Sequence, residues 1–160
     1  MAQLSFENVG VLADVRQTLK PKEEEKPSIS FGVKTPLELA PGTLFAMNYT
    51  IGEQVADNLK NLIQTNFGDR VGIAQYGTNL MPLLSEFKSI DDFNNESMVR
   101  IKTATKLWMP YVDLRGYESF PEFENGVFMK AIRILLSYRV PGIPVLAKQD
   151  SLLEIELRAL

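Results

Sequence analysis

Neither cysteine nor histidine occurs anywhere in the 160 residues. Without cysteine there is no disulfide framework, no thiolate nucleophile and no thiolate metal site. Without histidine there is no Ser-His or Cys-His dyad, no imidazole base and no ordinary zinc site. Any catalysis would have to rest on carboxylate, lysine or tyrosine groups, or on an oxygen-ligated metal. Tryptophan is reduced to one residue, Trp108. No apolar run approaches the roughly 18 to 20 residues that span a bilayer. Positive charge is not in excess either: the formal net charge is -3 and the isoelectric point about 5.1. That balance argues against a nucleic-acid binder whose affinity rests on phosphate neutralisation. The first residues, Met1 to Asn8, are polar and include Glu7, unlike a secretory signal. The product is therefore expected to stay in the compartment where it is made.

What is present fits one ordinary domain. Hydrophobic residues make up 45% and charged ones 23%, near the globular average, so wholesale disorder is not expected. The segment Lys20-Pro21-Lys22-Glu23-Glu24-Glu25-Lys26-Pro27 is a proline-bounded charged run and reads as a solvated linker. Upstream, Val11, Val15 and Leu19 fit a helical stripe that Gly10 interrupts. The chain divides accordingly into an extension over residues 1–28 and a domain over residues 29–160.

Along that domain the apolar period changes once. Ile29, Phe31 and Val33 alternate like a short strand before Thr35-Pro36, and Pro41-Gly42 marks a turn. Ile51 to Asn66 is predicted to be a helix with Ile51, Val55, Leu59, Leu62 and Ile63 on its buried face. Glu53, Asp57, Lys60, Asn61 and Gln64 fall opposite. Thr50 is a candidate cap, Glu53 suits the first turn, and Gly68 stands where a left-handed cap belongs. A second helix starts near Asn79 and runs through Leu84 and Phe87, with Pro82 tolerable in its first turn. A third is predicted over Asp92 to Leu107, with Met98, Ile101, Thr105 and Trp108 on its buried side and Pro110 ending it.

From there the period is two. Val112 and Leu114 begin a strand, and Gly116 to Asn125 reads as a loop. In Phe128 to Val140, Ile132, Ile134, Leu136, Tyr138 and Val140 face one way and Arg133, Ser137 and Arg139 the other. Pro141-Gly142-Ile143-Pro144 is turn-rich. Leu153, Ile155, Leu157 and Ala159 then alternate with Glu154, Glu156 and Arg158 in a last strand. The fold class is therefore α+β: two to three N-terminal helices packed on a small, mostly antiparallel C-terminal sheet.

The run Thr65-Asn66-Phe67-Gly68-Asp69-Arg70, followed by Tyr76-Gly77-Thr78-Asn79-Leu80 and Leu83-Leu84-Ser85-Glu86, is the most informative stretch. It resembles the signature of the small, lysozyme-like baseplate wedge proteins of contractile-tailed phages, a family similar to the type VI secretion baseplate subunit TssE. The resemblance covers roughly Phe31 to Leu160 and is most specific over Gly52 to Glu86. Gly68-Asp69-Arg70 replaces the family's Gly-Glu-Arg. Ile132 to Val140 and Leu152 to Leu160 look like its final hairpin. Met109-Pro110-Tyr111 stands where the family often carries Glu-Pro-Arg, keeping the proline and losing both charges.

The resemblance implies a structural role without catalysis. Such proteins sit in the inner wedge beside the central hub or spike, in six copies, and template the first ring of the tail sheath. The expected partners are therefore other wedge proteins, the hub and the sheath protein. The expected location is the virion tail baseplate, assembled in the host cytoplasm. No cofactor, metal, nucleic acid or membrane partner is expected. An apolar-faced terminal strand suits pairing with another chain through backbone hydrogen bonds, and its removal from Ser151 onward is expected to leave a folded domain.

Candidate partner-binding residues are Arg70, Glu86, Trp108, Tyr111, Arg133, Arg139, Leu153, Ile155 and Leu157. Those read as structural are Gly68, Asp69, Gly77, Asn79 and Pro110. Asp69 and Arg70 are candidates to pair with each other. Arg133 and Arg139, with Lys130 nearby, read as a solvated face or as a match for an acidic partner. The competing class is a muramidase-type cell-wall hydrolase. That chemistry needs two carboxylates about 5 to 10 Å apart, one with a raised pKa. Its candidates are Glu53, Asp69 and Glu86.

Overall fold

The computed structural model of the chain describes residues 29–41, 44–87, 89–124 and 127–158. The expectations for residues 1–28, for Gly42 in the Pro41-Gly42 turn and for Ala159 lie outside these.

The element order follows from local chemistry. Two-residue strands β1 (Gly32–Val33) and β2 (Met47–Asn48) pair antiparallel, and helix α1 (Ile51–Gln64) follows. Thr50 caps α1 in a full capping box. Its hydroxyl accepts the Glu53 amide at 3.2 Å, and the Glu53 carboxylate accepts the Thr50 amide at 3.1 Å. Hydrogen bonding of the carboxyl with the Thr50 side chain, then with the Thr50 and Tyr49 amides, holds Glu53 below its usual range. Val55, Leu59, Leu62 and Ile63 are buried, each at roughly 1.5 to 3 kcal/mol of transfer free energy. Ile51, expected on that face, is 42% exposed because the helix has only begun there.

The opposite face of α1 is not solvated as its composition predicts. Asp57 accepts from Asn48 Nδ2 at 2.8 Å and from the Thr35 amide at 2.9 Å, and Asn61 reaches Thr35 Oγ1 at 3.3 Å. The β1–β2 ribbon therefore lies on that polar face, and the buried Asn48 is its anchor. The strand expected around Ile29, Phe31 and Val33 is reduced to the two residues of β1, and all three of those side chains are exposed.

Helix α2 (Leu80–Glu86) stops at Phe87, which is extended, and helix α3 (Ile90–Trp108) begins two residues before its predicted start. Ser89 caps α3 by accepting the Asp92 amide at 3.2 Å. Phe93, Ser97, Ile101, Ala104 and Thr105 form its buried face. Met98, expected there, is 46% exposed, one residue off the stripe. Strands β3 (Asp113–Glu124), β4 (Val127–Arg139) and β5 (Ser151–Arg158) form an antiparallel sheet in the order β3-β4-β5. A one-turn helix, α4 (Pro144–Ala147), joins the last two and sets Leu146 against the start of α1. The core lies where α1, α2 and α3 meet the face of the sheet bearing Ile132, Ile134, Leu136, Leu153, Ile155 and Leu157. The α+β class, with helices preceding an antiparallel sheet, is as the sequence predicts.

The loop expected over Gly116 to Asn125 is instead strand through Glu124. Gly116 and Pro121 mark the two places where the β3–β4 register shifts, and β3 is an end strand, where bulges and proline are tolerated. The strand's core face is Tyr117, Ser119 and Pro121 in place of aliphatics. Tyr117 meets Ser97 at 2.6 Å, and Ser119 bonds Asn94 of α3. A polar strand lying on a polar helix stripe leaves no period-two hydrophobic signal.

Candidate functional site

The motif over residues 65–80 is a loop tied down at its ends and open in its middle. Thr65 ends α1 in extended conformation, and its carbonyl accepts the amides of Thr78 at 3.1 Å and Asn79 at 3.3 Å. Thr78, buried, donates its hydroxyl to the Ile63 carbonyl at 2.6 Å. Between them Gly77 has φ +117, and a Cβ there would lie 2.2 Å from the Thr65 carbonyl oxygen. Glycine is thus required by both conformation and space. Asn66 and Asn79 cross-brace the loop, through Asn66 Oδ1 to the Met81 amide and Asn79 Oδ1 to the Phe67 amide, each at 3.4 Å. Asn79 itself has φ +54, which asparagine tolerates. Gly68 does adopt positive φ, but four residues beyond the last residue of α1, in a turn closed by its amide on Ala74 O at 2.8 Å. It is a loop glycine and not the helix cap.

Asp69 and Arg70 do not pair. The Asp69 carboxylate accepts the Asn66 amide at 2.8 Å, closing a local turn. The Arg70 guanidinium sits 4.1 Å over the Tyr76 ring, which in turn packs on Trp108 with centroids 5.2 Å apart. Two groups of the loop are thus stacked with Trp108 at one end of α3. Trp108 is half-buried against the core, and Tyr111 beside it is 48% exposed. Burial, then the nearby Tyr76, pushes the Tyr111 hydroxyl above its usual range. Met109 is buried, and its carbonyl accepts the Val112 amide at 2.9 Å, so the Met109-Pro110-Tyr111 corner turns the chain from α3 into β3.

One contributor has no signal in the motif. Arg100 of α3 donates to the Asn79 carbonyl at 2.7 Å while pairing with Glu96 at 2.7 Å, pinning the loop to the helix. Its i, i+4 relation to Glu96 is visible in sequence, but its reach to Asn79 is not. Pinned this way, the loop presents Phe67, Val71 and Ile73 outward, with Val71 fully exposed.

The remaining site candidates divide between the two faces of the sheet. Leu153, Ile155 and Leu157 point into the core, so their side chains pack against the helices, and what β5 offers outward is its backbone edge. Arg133 and Arg139 are not a free basic stripe. Arg133 pairs with Glu154 at 3.4 Å and Glu122 at 3.5 Å, and Arg139 pairs with Asp150 at 2.8 Å. The Lys130 side chain is outside the described residues. Glu86 lies exposed at the end of α2, where Leu83 and Leu84 face the core and Glu86 does not.

The three hydrolase candidates do not converge on a cleft. Glu53 is engaged in capping and held ionised, Asp69 closes a turn, and Glu86 is exposed. Clefts at the α3–β3 seam and beneath the loop, of about 220 and 330 Å³, are lined by no carboxylate. Among the described residues no group of three or more acidic side chains could hold a metal ion. No helix among them is long and apolar enough to cross a membrane.

No protein-family model matches the sequence, and no curated protein matches it. Solved structures do. The chain is similar to one in the cryo-EM structure of the anti-feeding prophage baseplate, which was symmetrised six-fold. The TM-score is 0.56 and the identity 19%, over 70% of this chain and 86% of that one. It is also similar to a protein of Geobacter sulfurreducens provisionally named a tail lysozyme. There the TM-score is 0.53 and the identity 18%, over 69% and 93% of the two chains. At such identities the likeness is one of fold, and the fold is the one that the resemblance in the Gly52 to Glu86 stretch implies.

Proposed function

We propose that this chain is a non-enzymatic structural subunit of a contractile-tail baseplate. It sits in the inner wedge beside the hub or spike, in six copies, and templates the first sheath ring by β-strand pairing. Other wedge proteins and the sheath protein are its partners in the virion tail. The fold shared with a prophage baseplate chain supports the baseplate role. The observation that carries the strand-pairing step is the outer edge of β5, which pairs with no strand among the described residues. Gln64 reaches the Glu156 carbonyl at 3.5 Å, so that carbonyl is turned away from β4. In an extended strand the amide of the same residue points the same way. A free edge of this kind accepts a strand through backbone hydrogen bonds, with Glu154, Glu156 and Arg158 limiting nonspecific pairing.

The direct test is Glu156→Pro, which removes an outward amide while leaving Leu153, Ile155 and Leu157 in the core. The variant is expected to remain folded and to enter baseplates, while sheath assembly falls at least about tenfold by electron microscopy, as loss of about 1.4 kcal/mol would give. Normal sheath growth on such baseplates refutes the strand-pairing step. A hydrolase reading is favoured by the name of the second structural neighbour alone. It would require the purified chain to cleave cell wall and to lose that activity in Glu53→Gln, Asp69→Asn or Glu86→Gln.

A further inference from the structure

A cleft of about 220 Å³ opens where α3 meets β3, with Met98, Ile101, Leu114 and Leu136 as its apolar lining and Lys102 and Arg115 at its rim. A second cleft of about 180 Å³ adjoins it, sharing Lys102 and Leu114 and adding Lys106, Thr105 and Asp113. Arg115 already holds Asp113 at 2.7 Å. Lys102 and Lys106 have no carboxylate within 4.0 Å among the described residues, although they stand one helical turn apart. Like charges at that spacing repel by a few tenths of a kcal/mol. Lys106 has a local justification in the last turn of α3, where a cation suits the helix dipole. Lys102 has none. Thr105 lies between them with its buried hydroxyl lacking a hydrogen-bond partner among the described residues.

The combination is specific for a chain whose net charge is -3. An apolar slot large enough for one or two side chains is bordered by Lys102, and the adjoining cleft by Lys106, neither of which has a carboxylate within 4.0 Å among the described residues. We infer that this seam is a docking site for an acidic segment of a partner protein, one that inserts an apolar side chain flanked by carboxylates. The apolar anchor fills the slot between Met98, Ile101, Leu114 and Leu136, and the carboxylates meet Lys102 and Lys106. Buried apolar anchors supply most of the affinity at such sites, and the flanking charges set encounter rate and choice of partner. The site lies on α3 and β3, away from the β5 edge, and does not depend on strand pairing.

The test uses the full chain and a synthetic peptide with one phenylalanine between pairs of glutamates, followed by amide-resolved NMR at low salt. The expected result is shifts confined to α3 and β3 around Met98, Lys102 and Gly116. Binding should weaken about tenfold in the double variant Lys102→Glu, Lys106→Glu and for a peptide with glutamine in place of glutamate. Lys148→Glu, a charge reversal at an exposed residue away from the seam, serves as the control against each single reversal, Lys102→Glu or Lys106→Glu, and should leave binding unchanged. No binding, equal binding of the glutamine peptide, or shifts located elsewhere overturns the proposal. Concentration-dependent shifts at the same amides without peptide would also overturn it, because the occupant would then be a second copy of this chain.

Discussion

At the scale of single residues, the motif is a set of steric and hydrogen-bonding requirements. Gly77 meets the Thr65 carbonyl so closely that any side chain must push the loop off the end of α1. Gly72 has φ +85 but open space around it. Gly77→Ala is therefore expected to cost on the order of 3 kcal/mol, from backbone strain plus overpacking, and Gly72→Ala about 1 to 2 kcal/mol from backbone strain alone. Denaturant titration of the two variants separates these, and equal costs would refute the close approach. Tyr117 makes a second residue-scale case. Burial raises its hydroxyl above the ordinary 10.0, against the lowering effect of its bonds to Ser97 and Ser119. Below pH 10 both folded and unfolded chains keep that proton. Above it the unfolded chain loses the proton first, so stability declines as the pH rises toward the folded value. Tyr117→Phe should cost about 1 kcal/mol at neutral pH through the lost Ser97 bond and should lessen the alkaline decline. Tyr138, raised by burial as well, retains part of that decline in the variant. Thermal melts across pH 7 to about 11 check both.

At the scale of elements, β5 is a core strand before it is an edge. Leu153, Ile155 and Leu157 lie under α1 and α2, so deletion from Ser151 removes three large side chains from the core. At about 2 to 5 kcal/mol for each such truncation, the loss matches or exceeds the whole stability of an ordinary domain. The truncated chain is expected to be unfolded, with no cooperative melt by circular dichroism, contrary to the folded product that the sequence suggests. A folded truncation product would mean that the helices and the β3–β4 hairpin suffice. The elements legible in the sequence were those whose burial is one-sided and aliphatic: α1 through Val55, Leu59 and Leu62, β4 through Ile132 to Val140, and β5. β3 was not legible, since Tyr117 and Ser119 face polar groups of α3 and its bulges fall at Gly116 and Pro121. The candidate site was legible in part. Gly77 and Asn79 announce a turn by composition alone. The stack of Arg70, Tyr76 and Trp108, and the reach of Arg100 to Asn79, depend on tertiary approach that no local spacing encodes.

At the scale of the whole molecule, the sheet has two unlike faces. The inner one is mostly aliphatic on β4 and β5, polar on β3, and closed by three helices. On the outer one Glu122, Arg133, Glu154, Glu156 and Arg158 link β3, β4 and β5 in a charged lattice. These side chains are largely exposed, so each pair adds little to stability. Their effect is to keep that face wetted while the strand edges stay available. Among the described residues the hairpin of β3 and β4 also outruns its neighbour, because β5 there pairs with β4 from Ala131 to Tyr138 and not with Val127 to Lys130.

The long separation of β5 from α1 along the chain has a consequence for synthesis. Gln64 on α1 touches Glu156, 92 residues later, and the core under α1 is unfilled until Leu153, Ile155 and Leu157 arrive. The β3–β4 hairpin can form from neighbouring residues as it emerges, but α1 must wait for a strand made long after it. Long-range closure of this kind is slow relative to local pairing. The growing chain therefore carries the exposed apolar face of α1 until β5 is made, and the fold becomes cooperative only when that strand has left the ribosome.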